Sequence, residues 1–329
     1  MIITQTPLRI SFAGGLTDIP AFYEKYGGCV VSTTIDKYIF VIINERFDDK
    51  IYINYSQKEI VDSVADIKHD LVREAMIMTG VTGGVEITTL ADVPSEGSGL
   101  GSSSSVTVGL LNALYAFQGE VKPAGFLAEQ ASEIEIVLCG KPVGKQDQYI
   151  AAFGGLRCFE FREDGSVGVA RLPLNADQKR YLSDNLMLTY TERTRSADDI
   201  LSAQKDNMAE KNQHVQNIKQ LAFETRETLS SGDIDGLGEL LDRGWQWKRE
   251  MAARVSDDEI DQIYIKAKSA GSLGGKLCGA GAGGFFLFYT PHHLQSDVRS
   301  AVSEYRELPF NLERDGSKVI FNMRRYEWN

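Results

Sequence analysis

The sequence predicts a fold of mixed helices and strands in two regions, on three observations. At 329 residues the chain is long enough for two domains of ordinary size. β-branched runs with period-two patterning are interspersed with apolar stripes at helical spacing. Near residue 187 the texture changes, from strand-rich to a succession of polar helices. Composition agrees: 43% hydrophobic and 25% charged residues are ordinary for a globular chain, and 13 Tyr with 15 Phe can fill a substantial core. Lys plus Arg number 35 against 46 Asp plus Glu, a net charge of −11. No local basic run offsets it, which argues against nucleic acid and anionic membrane as partners. There is no apolar run of about eighteen residues, as a membrane span needs. Residues 1–7 lack the basic and apolar regions of a secretory signal. Cys29, Cys139, Cys158 and Cys278 show no paired spacing. The expectation is a cytoplasmic protein with reduced thiols.

In chain order, Leu8, Ile10 and Phe12 alternate as in a half-buried strand that stops at Gly14-Gly15. Arg9 falls on the opposite face and Asp18 just past the turn. A helix over 20–26 ends at Gly27-Gly28, and strands over 29–35, 38–43 and 51–55 come next. Leu71, Ala75 and Met78 mark a helix ahead of a strand with Val85, Ile87 and Leu90. Val106, Leu110, Leu114 and Phe117 mark the next helix. Leu127, Ala131, Ile134 and Leu138 form the stripe of another, over about 122–139, which Gly140 and Pro142 stop. Glu133 and Glu135 fall off that stripe. Residues 140–148 read as a loop holding Asp147 between two glutamines, and strands over 156–161 and 167–172 close the first half.

In the second half, a strand over 187–190 and a loop over 191–196 precede a long polar helix, which Ser196 would cap with Asp198 and Asp199 in its first turn. A helix over 234–254 carries Leu237, Leu241, Trp245 and Trp247, the tryptophans read as packing between helices. Ser256-Asp257-Asp258-Glu259 reads as the capping box of a helix ending at Gly271. A glycine-rich run over 274–284, a strand over 285–289, a helix over 294–306 and a strand over 318–323 complete the chain.

The stretch that speaks most directly of chemistry is Gly97-Ser98-Gly99-Leu100-Gly101-Ser102-Ser103-Ser104-Ser105. Glycine lets a ligand approach the main chain, and a helix N-terminus offers unpaired N–H groups at the positive end of its dipole. A glycine loop running into a helix therefore reads as a phosphate cradle. A Gly/Ser linker has similar composition, but it is not gripped between a strand and an amphipathic helix. The Gly-x4-Gly-Lys-[Ser/Thr] pattern is absent, so no P-loop lysine is available. The run over 279–284 precedes a strand rather than opening a helix, against a dinucleotide fingerprint. Glu135 and Asp147 as a carboxylate pair would also suit a glycosidase; the adjoining phosphate loop favours phosphoryl transfer.

Three segments in this order resemble the GHMP small-molecule kinases, the superfamily of galactokinase, homoserine kinase, mevalonate kinase and phosphomevalonate kinase. They are Pro7-x-Arg9 through Gly14-Gly15 and Asp18; residues 94–103, with one extra residue before Gly99; and the glycine loop over 279–284. Glu135-x4-Gly140-x-Pro142-x-Gly144-x2-Asp147-Gln148 is similar to the galactokinase-like members. Residues 14–18, 32–38, 144–149 and 194–197 most resemble D-glycero-D-manno-heptose 7-phosphate kinases, with fucokinase-type domains sharing several of these segments. Two positions depart from the pattern: Leu16 stands where glycine is expected, and Glu192 interrupts a Thr-Gly-x-x-Arg-like loop.

The resemblance implies a two-domain α+β GHMP kinase fold with ATP and sugar in the inter-domain cleft. Residues 1–185 would carry the phosphate loop and the catalytic acid, and residues 186–329 the third glycine motif. It implies ATP contacts from Gly97, Ser98, Gly99, Leu100, Gly101, Ser102, Ser103, Ser104, Gly281 and Gly283, and Mg²⁺ held by Glu135 with Ser103 or, in another register, Ser102. Asp147 would take the proton of the anomeric hydroxyl, with Arg9 stabilising the developing alkoxide or holding Asp147 ionised. Asp18, Gly14 and Gly15 would face the sugar. An acceptor that already bears a phosphate needs a second anion site; Lys145, Arg193 and Arg195 are candidates, each equally readable as a solvated surface charge. The reaction so implied phosphorylates O1 of the heptose 7-phosphate to the 1,7-bisphosphate, toward nucleotide-activated heptose. A fucokinase-like sugar 1-kinase is the alternative, and a non-catalytic sensor of the same fold should have lost Asp147 or Glu135.

Overall fold

The alternation in β1 (Ile2–Ala13) leaves Leu8, Ile10 and Phe12 at most 1% exposed. The computed structural model describes residues 1–94, 97–193, 197–208, 210–252, 255–281 and 283–323. After β1 come α1 (Pro20–Tyr26), β2 (Gly28–Glu45), β3 (Ile51–Asn54), β4 (Lys58–Val61), α2 (Asp70–Thr79), β5 (Val85–Ala91), α3 (Ser102–Gln118), α4 (Ala124–Ser132), α5 (Gln146–Phe153), β6 (Arg157–Phe161), β7 (Val167–Arg171) and α6 (Ala176–Asp184). The remainder is β8 (Leu186–Tyr190), α7 (Ala197–Asn207), α8 (Asn212–Ser231), α9 (Gly236–Arg249), α10 (Asp258–Ser269), β9 (Gly274–Leu277), β10 (Phe285–Tyr289), α11 (Gln295–Ala301), β11 (Leu312–Glu313) and β12 (Lys318–Asn322).

Among the described residues, nine strands form one sheet with β2 as its spine. One edge of β2 pairs with β1 along most of its length; the other takes β6 at Gly28–Ser32 and β5 at Ile39–Glu45. Within the sheet only β3 and β5 run parallel. The second sheet is antiparallel, in the order β8-β10-β9. β12 and β11 return to the first sheet, pairing with β1 and β2. The main core is continuous across the halves: Leu110 and Leu114 of α3 and Leu221, Leu237 and Leu241 of α8 and α9 join the β1 residues. No described helix is long and apolar enough to cross a membrane.

Several expectations need correction. The two strands expected over 29–43 are one, because a register shift opposite Pro7/Leu8 absorbs the polar pair Asp36-Lys37 without ending β2. The long polar helix is two, α7 and α8. Asp257, not Ser256, caps α10, accepting from the Ile260 N–H at 3.1 Å, while the Ser256 hydroxyl donates to Asp261. The helix expected over 294–306 is shorter, and part of the glycine run over 274–284 is the strand β9. β4 and α6 were not expected, although α6 carries a capping box between Asn175 and Gln178. Ser196, proposed as a cap, lies outside the described residues.

Trp245 of α9 is fully buried, its ring edge-on to Phe286 of β10 at 5.3 Å. Tyr264 of α10 stacks on the same Phe286. Trp245→Ala removes the largest side chain of this cluster, and the expected loss is about 3–5 kcal/mol of unfolding free energy in a urea titration; a loss below about 1 kcal/mol would show that the cluster collapses around the gap.

Candidate active site

Each part of the site is placed by a local feature of the chain. In the loop before α3, Gly97, Gly99 and Gly101 have φ of +68°, +73° and +78°, so alternate residues sit in the left-handed region that glycine tolerates. Gly101 occupies the N-cap of α3 and no side chain caps it. The serines, which resemble caps in the sequence, instead lie in the first turn and send their hydroxyls elsewhere. Ser102 Oγ meets Ser98 Oγ at 3.1 Å, Ser105 donates to Pro7 O, and Ser103 and Ser104 each donate to Glu135 Oε2 at 3.2 Å. The helix N-terminus is thus left uncapped at a main-chain cradle, the arrangement that binds phosphate.

Glu135 reaches this place through a change of helical pitch. α4 continues into a π turn over Glu133–Leu138, where the Cys139 N–H bonds to Ile134 O, five residues back. The extra residue in the turn rotates the side chains of this segment about the helix axis, so Glu135 is 1% exposed while Leu138, expected in the buried stripe, is 47% exposed. Burial pushes the Glu135 carboxyl above its ordinary pKa, opposed by the Lys141 ammonium and the Ser104 hydroxyl. Its Oε1 is buried with no hydrogen-bond partner among the described residues. A buried hard oxygen short of a partner, with serine hydroxyls beside it, fits a divalent cation such as Mg²⁺.

Asp147 lies in the first turn of α5 rather than in a loop, and Arg9 grips it from β1. Arg9 Nε and Nη2 donate to Asp147 Oδ1 and Oδ2 at 2.7 and 2.5 Å, and Nη1 donates to Gly99 O at 2.5 Å. Burial works against the guanidinium charge, but the Asp147 carboxylate outweighs it and the Arg9 pKa rises. Asp18, 2% exposed, accepts from the Gln146 N–H at 3.0 Å. Gly144 is required there: a Cβ would stand 2.1 Å from Asp18 Oδ2.

A pocket between the halves is lined by Arg9, Gly14, Gly15, Asp18, Gln146 and Asp147 on one side and by Gln204, Lys248, Lys276 and Gly279 on the other. Ser11 Oγ, Gln146 Oε1 and Gln204 Oε1, all from residues of its wall, are buried and have no hydrogen-bond partner among the described residues. Such groups suit a ligand rich in hydroxyls. The second glycine run lies directly against the first: a Cβ on Gly279 would come within 2.6 Å of Gly99 Cα, and the Phe285 N–H bonds to Ser98 O at 3.2 Å. Gly281 and Gly283 continue this run at φ of +118° and +156°.

Lys145 and Arg193, two of the candidates for a second anion site, do not line this pocket. Lys145 donates to Glu129 Oε2 at 3.3 Å and to Gly165 O at 3.0 Å. Arg193 is engaged by Asp257 at 2.6 Å and Glu259 at 3.1 Å. Arg195 lies outside the described residues. Sequence reasoning missed Lys248 and Lys276, which line the pocket from α9 and β9. Burial holds the Lys248 ammonium well below the usual lysine range and brings that of Lys276 down to about 8. It also missed Lys141, whose Nζ is 3.5 Å from Ser103 Oγ. The two family departures have a common structural mark: Leu16 and Glu192 are the non-glycine residues with positive φ among the described residues, at +79° and +56°.

An arginine-held carboxylate beside an uncapped helix and its glycine loop is the equipment of a phosphotransferase, and comparison with known proteins agrees. The chain belongs to the GHMP kinases: the family's N-terminal domain matches residues 56–155 and its C-terminal domain residues 225–307. It is 35% identical over 302 residues, 88% of this chain and 89% of the relative, to a D-glycero-alpha-D-manno-heptose 7-phosphate kinase of Campylobacter jejuni. Identity is 24% over 354 residues to a bifunctional fucokinase/GDP-fucose pyrophosphorylase of Arabidopsis thaliana, covering 99% of this chain and 32% of that protein. A crystal structure described as a D-glycero-D-manno-heptose 1-phosphate kinase from Bacteroides thetaiotaomicron superimposes with a TM-score of 0.81 at 26% identity, covering 99% and 100% of the two chains. The protein is therefore a phosphotransferase of the sugar-kinase kind with the two-domain GHMP fold, and ATP is the donor its family uses.

Burial pushes the Asp18 pKa up to about 6 from 3.8; the Gln146 N–H opposes the shift and the Asp147 charge adds to it. Between these values the folded chain binds more protons than the unfolded one. The contribution of Asp18 to stability is therefore full below about pH 4 and lost as pH rises to about 6. Asp18→Asn keeps an acceptor for the Gln146 N–H and removes the charge. It should raise the unfolding free energy at pH 7 by up to about 3 kcal/mol, and by far less at pH 4.5. Urea titrations at both pH values check this; an equal effect at the two would refute the buried-charge account.

Proposed function

We propose that this chain transfers the γ-phosphoryl group of ATP to the anomeric O1 of D-glycero-D-manno-heptose 7-phosphate, giving the 1,7-bisphosphate and ADP. The observation that carries the reading is the 35% identity, over 88% of the chain, to the Campylobacter heptose 7-phosphate kinase. The buried polar atoms in the pocket wall support a polyhydroxyl acceptor.

In this reading Asp147 accepts the O1 proton as O1 attacks phosphorus, the new O1–P bond forms, and the bond from phosphorus to the bridging oxygen of ADP breaks. A carboxylate has about four lone-pair sites. Arg9 takes one on each oxygen, which leaves the others for the sugar hydroxyl. Arg9 also keeps the carboxylate aimed and, through Gly99 O, fixed relative to the phosphate loop. Such general-base help is worth roughly 10²–10⁴-fold, with positioning and charge neutralisation supplying the rest. Asp18 orients ring hydroxyls. The uncapped N–H groups of α3 take the phosphate oxygens. Mg²⁺ would be held by Glu135 with the Ser103 hydroxyl, and it would supply neutralisation of the charge shared by the β- and γ-phosphates.

Fucose is the competing acceptor, because the fucokinase relative matches the whole of this chain. The test is ADP release by purified protein with ATP and Mg²⁺ against heptose 7-phosphate, heptose 1-phosphate, fucose and galactose, with the product mapped by phosphorus NMR. Turnover of heptose 7-phosphate with a new signal on O1 is the expected result. Turnover of fucose alone, or a phosphate gained on O7 of heptose 1-phosphate, would reject the reading.

A further inference from the structure

Lys248 and Lys276 bring two ammonium groups into the wall of the acceptor pocket, and among the described residues neither forms an ion pair with a carboxylate. Lys248 donates to Leu277 O at 2.8 Å and Gly279 O at 2.5 Å, and Lys276 donates to Phe12 O at 3.3 Å. An ammonium has three donors. One N–H of Lys248 and two of Lys276 are therefore uncommitted, beside a cavity. The third cation of the lining, Arg9, is matched by Asp147, so the charges left without a carboxylate partner among the described residues are those of the two lysines. Burial weakens both ammonium charges, and for Lys248 the neighbouring Lys276 adds to that weakening. Two half-buried like charges are unfavourable until an anion joins them. In a chain of net charge −11 such an uncompensated basic pair is against the general balance.

We propose that Lys248 and Lys276 bind the phosphate monoester that the acceptor carries before reaction, and so select a phosphorylated sugar over its unphosphorylated form. The inference rests on the proposed phosphorylated acceptor and names the residues that recognise it. A phosphate monoester has three terminal oxygens, enough to take all three uncommitted N–H donors. The competing role is structural: Lys248 pins the carbonyls of the glycine run that touches the phosphate loop. That role would disturb ATP, whereas anion recognition disturbs the acceptor alone.

The experiment titrates inorganic phosphate into the full chain by calorimetry, with Mg²⁺ and a non-hydrolysable ATP analogue saturating so that the phosphate loop is filled. Kinetics then compare heptose 7-phosphate with the same heptose lacking phosphate. Lys276→Met should weaken phosphate binding at least tenfold, and Lys276→Arg should restore most of it. KM for the phosphorylated heptose should rise at least tenfold in Lys276→Met while KM for ATP stays within twofold, and Lys248→Met, the second variant, should likewise weaken phosphate binding and raise KM for the phosphorylated heptose. Equal phosphate binding in wild type and Lys276→Met, or KM for ATP rising in step with that for the acceptor, would overturn the proposal. Wild-type protein that ignores heptose 7-phosphate yet binds phosphate through Lys276 would reject the heptose reading and leave the anion site standing.

Discussion

A guanidinium buried in the middle of a β-strand must find acceptors for its N–H groups, and Arg9 finds them in two distant parts of the chain. Both oxygens of Asp147, at the start of α5, and the carbonyl of Gly99, in the phosphate loop, converge on it. The strand beneath is held by the apolar alternation of Leu8, Ile10 and Phe12, so its position is set by the core and not by the site. Removing Asp147 would leave the buried Arg9 charged and unpaired, a loss of about 3–5 kcal/mol for a fully buried pair that the 22% exposure of the Asp147 side chain reduces here. The pair thus ties Asp147, the proposed proton acceptor, to the glycine loop before α3 more firmly than a surface contact would.

Close backbone contact supplies the second constraint. The two glycine runs touch at Gly99 and Gly279, where any Cβ would clash, and this contact closes the halves around the pocket. Gly144 does the same for Asp18. Where a side chain does stand in left-handed backbone, the cost is about 1–2 kcal/mol. At Leu16 the burial of a leucine, worth about 1.5–3 kcal/mol, offsets it, since the side chain packs with Ile19 and Phe22. Exposed Glu192 has no such compensation. The pocket lining carries both signs of charge: Asp18 and the Arg9–Asp147 pair come from the first half, and Lys248 and Lys276 from the second.

Local patterns made much of this legible before the structure. The alternation around Arg9, the glycine loop entering α3 and the Gly140–Pro142 stop all appear where spacing places them, and the three ordered motifs pointed to the family. What could not be read is non-local or depends on hydrogen-bond pitch. The π turn leaves no periodic signal, which is why the spacing puts Glu135 off the apolar stripe and Leu138 on it, the reverse of their burial. Lys248 reads as the polar face of an ordinary helix and Lys276 as a residue of a glycine run; only the approach of α9 and β9 to β1 makes them pocket residues. Lys145 and Arg193 are nearby in sequence to site residues but are taken by Glu129, Asp257 and Glu259, which pair with them across loops. The Asn175–Gln178 capping box, by contrast, was present in the letters and was missed.

The central claim is that Arg9 and Asp147 act as one unit in which the arginine serves the base. A double-mutant cycle in kcat/KM for the phosphoryl acceptor measures this directly, with Arg9→Met, Asp147→Asn and the double variant, each checked for nucleotide binding. The account predicts that Asp147→Asn loses at least about 10²-fold, and that the double variant loses no more than about threefold beyond it, since the arginine has nothing left to aim. Losses that multiply across the two substitutions would contradict it, and would mean that Arg9 acts on the reacting groups independently of Asp147.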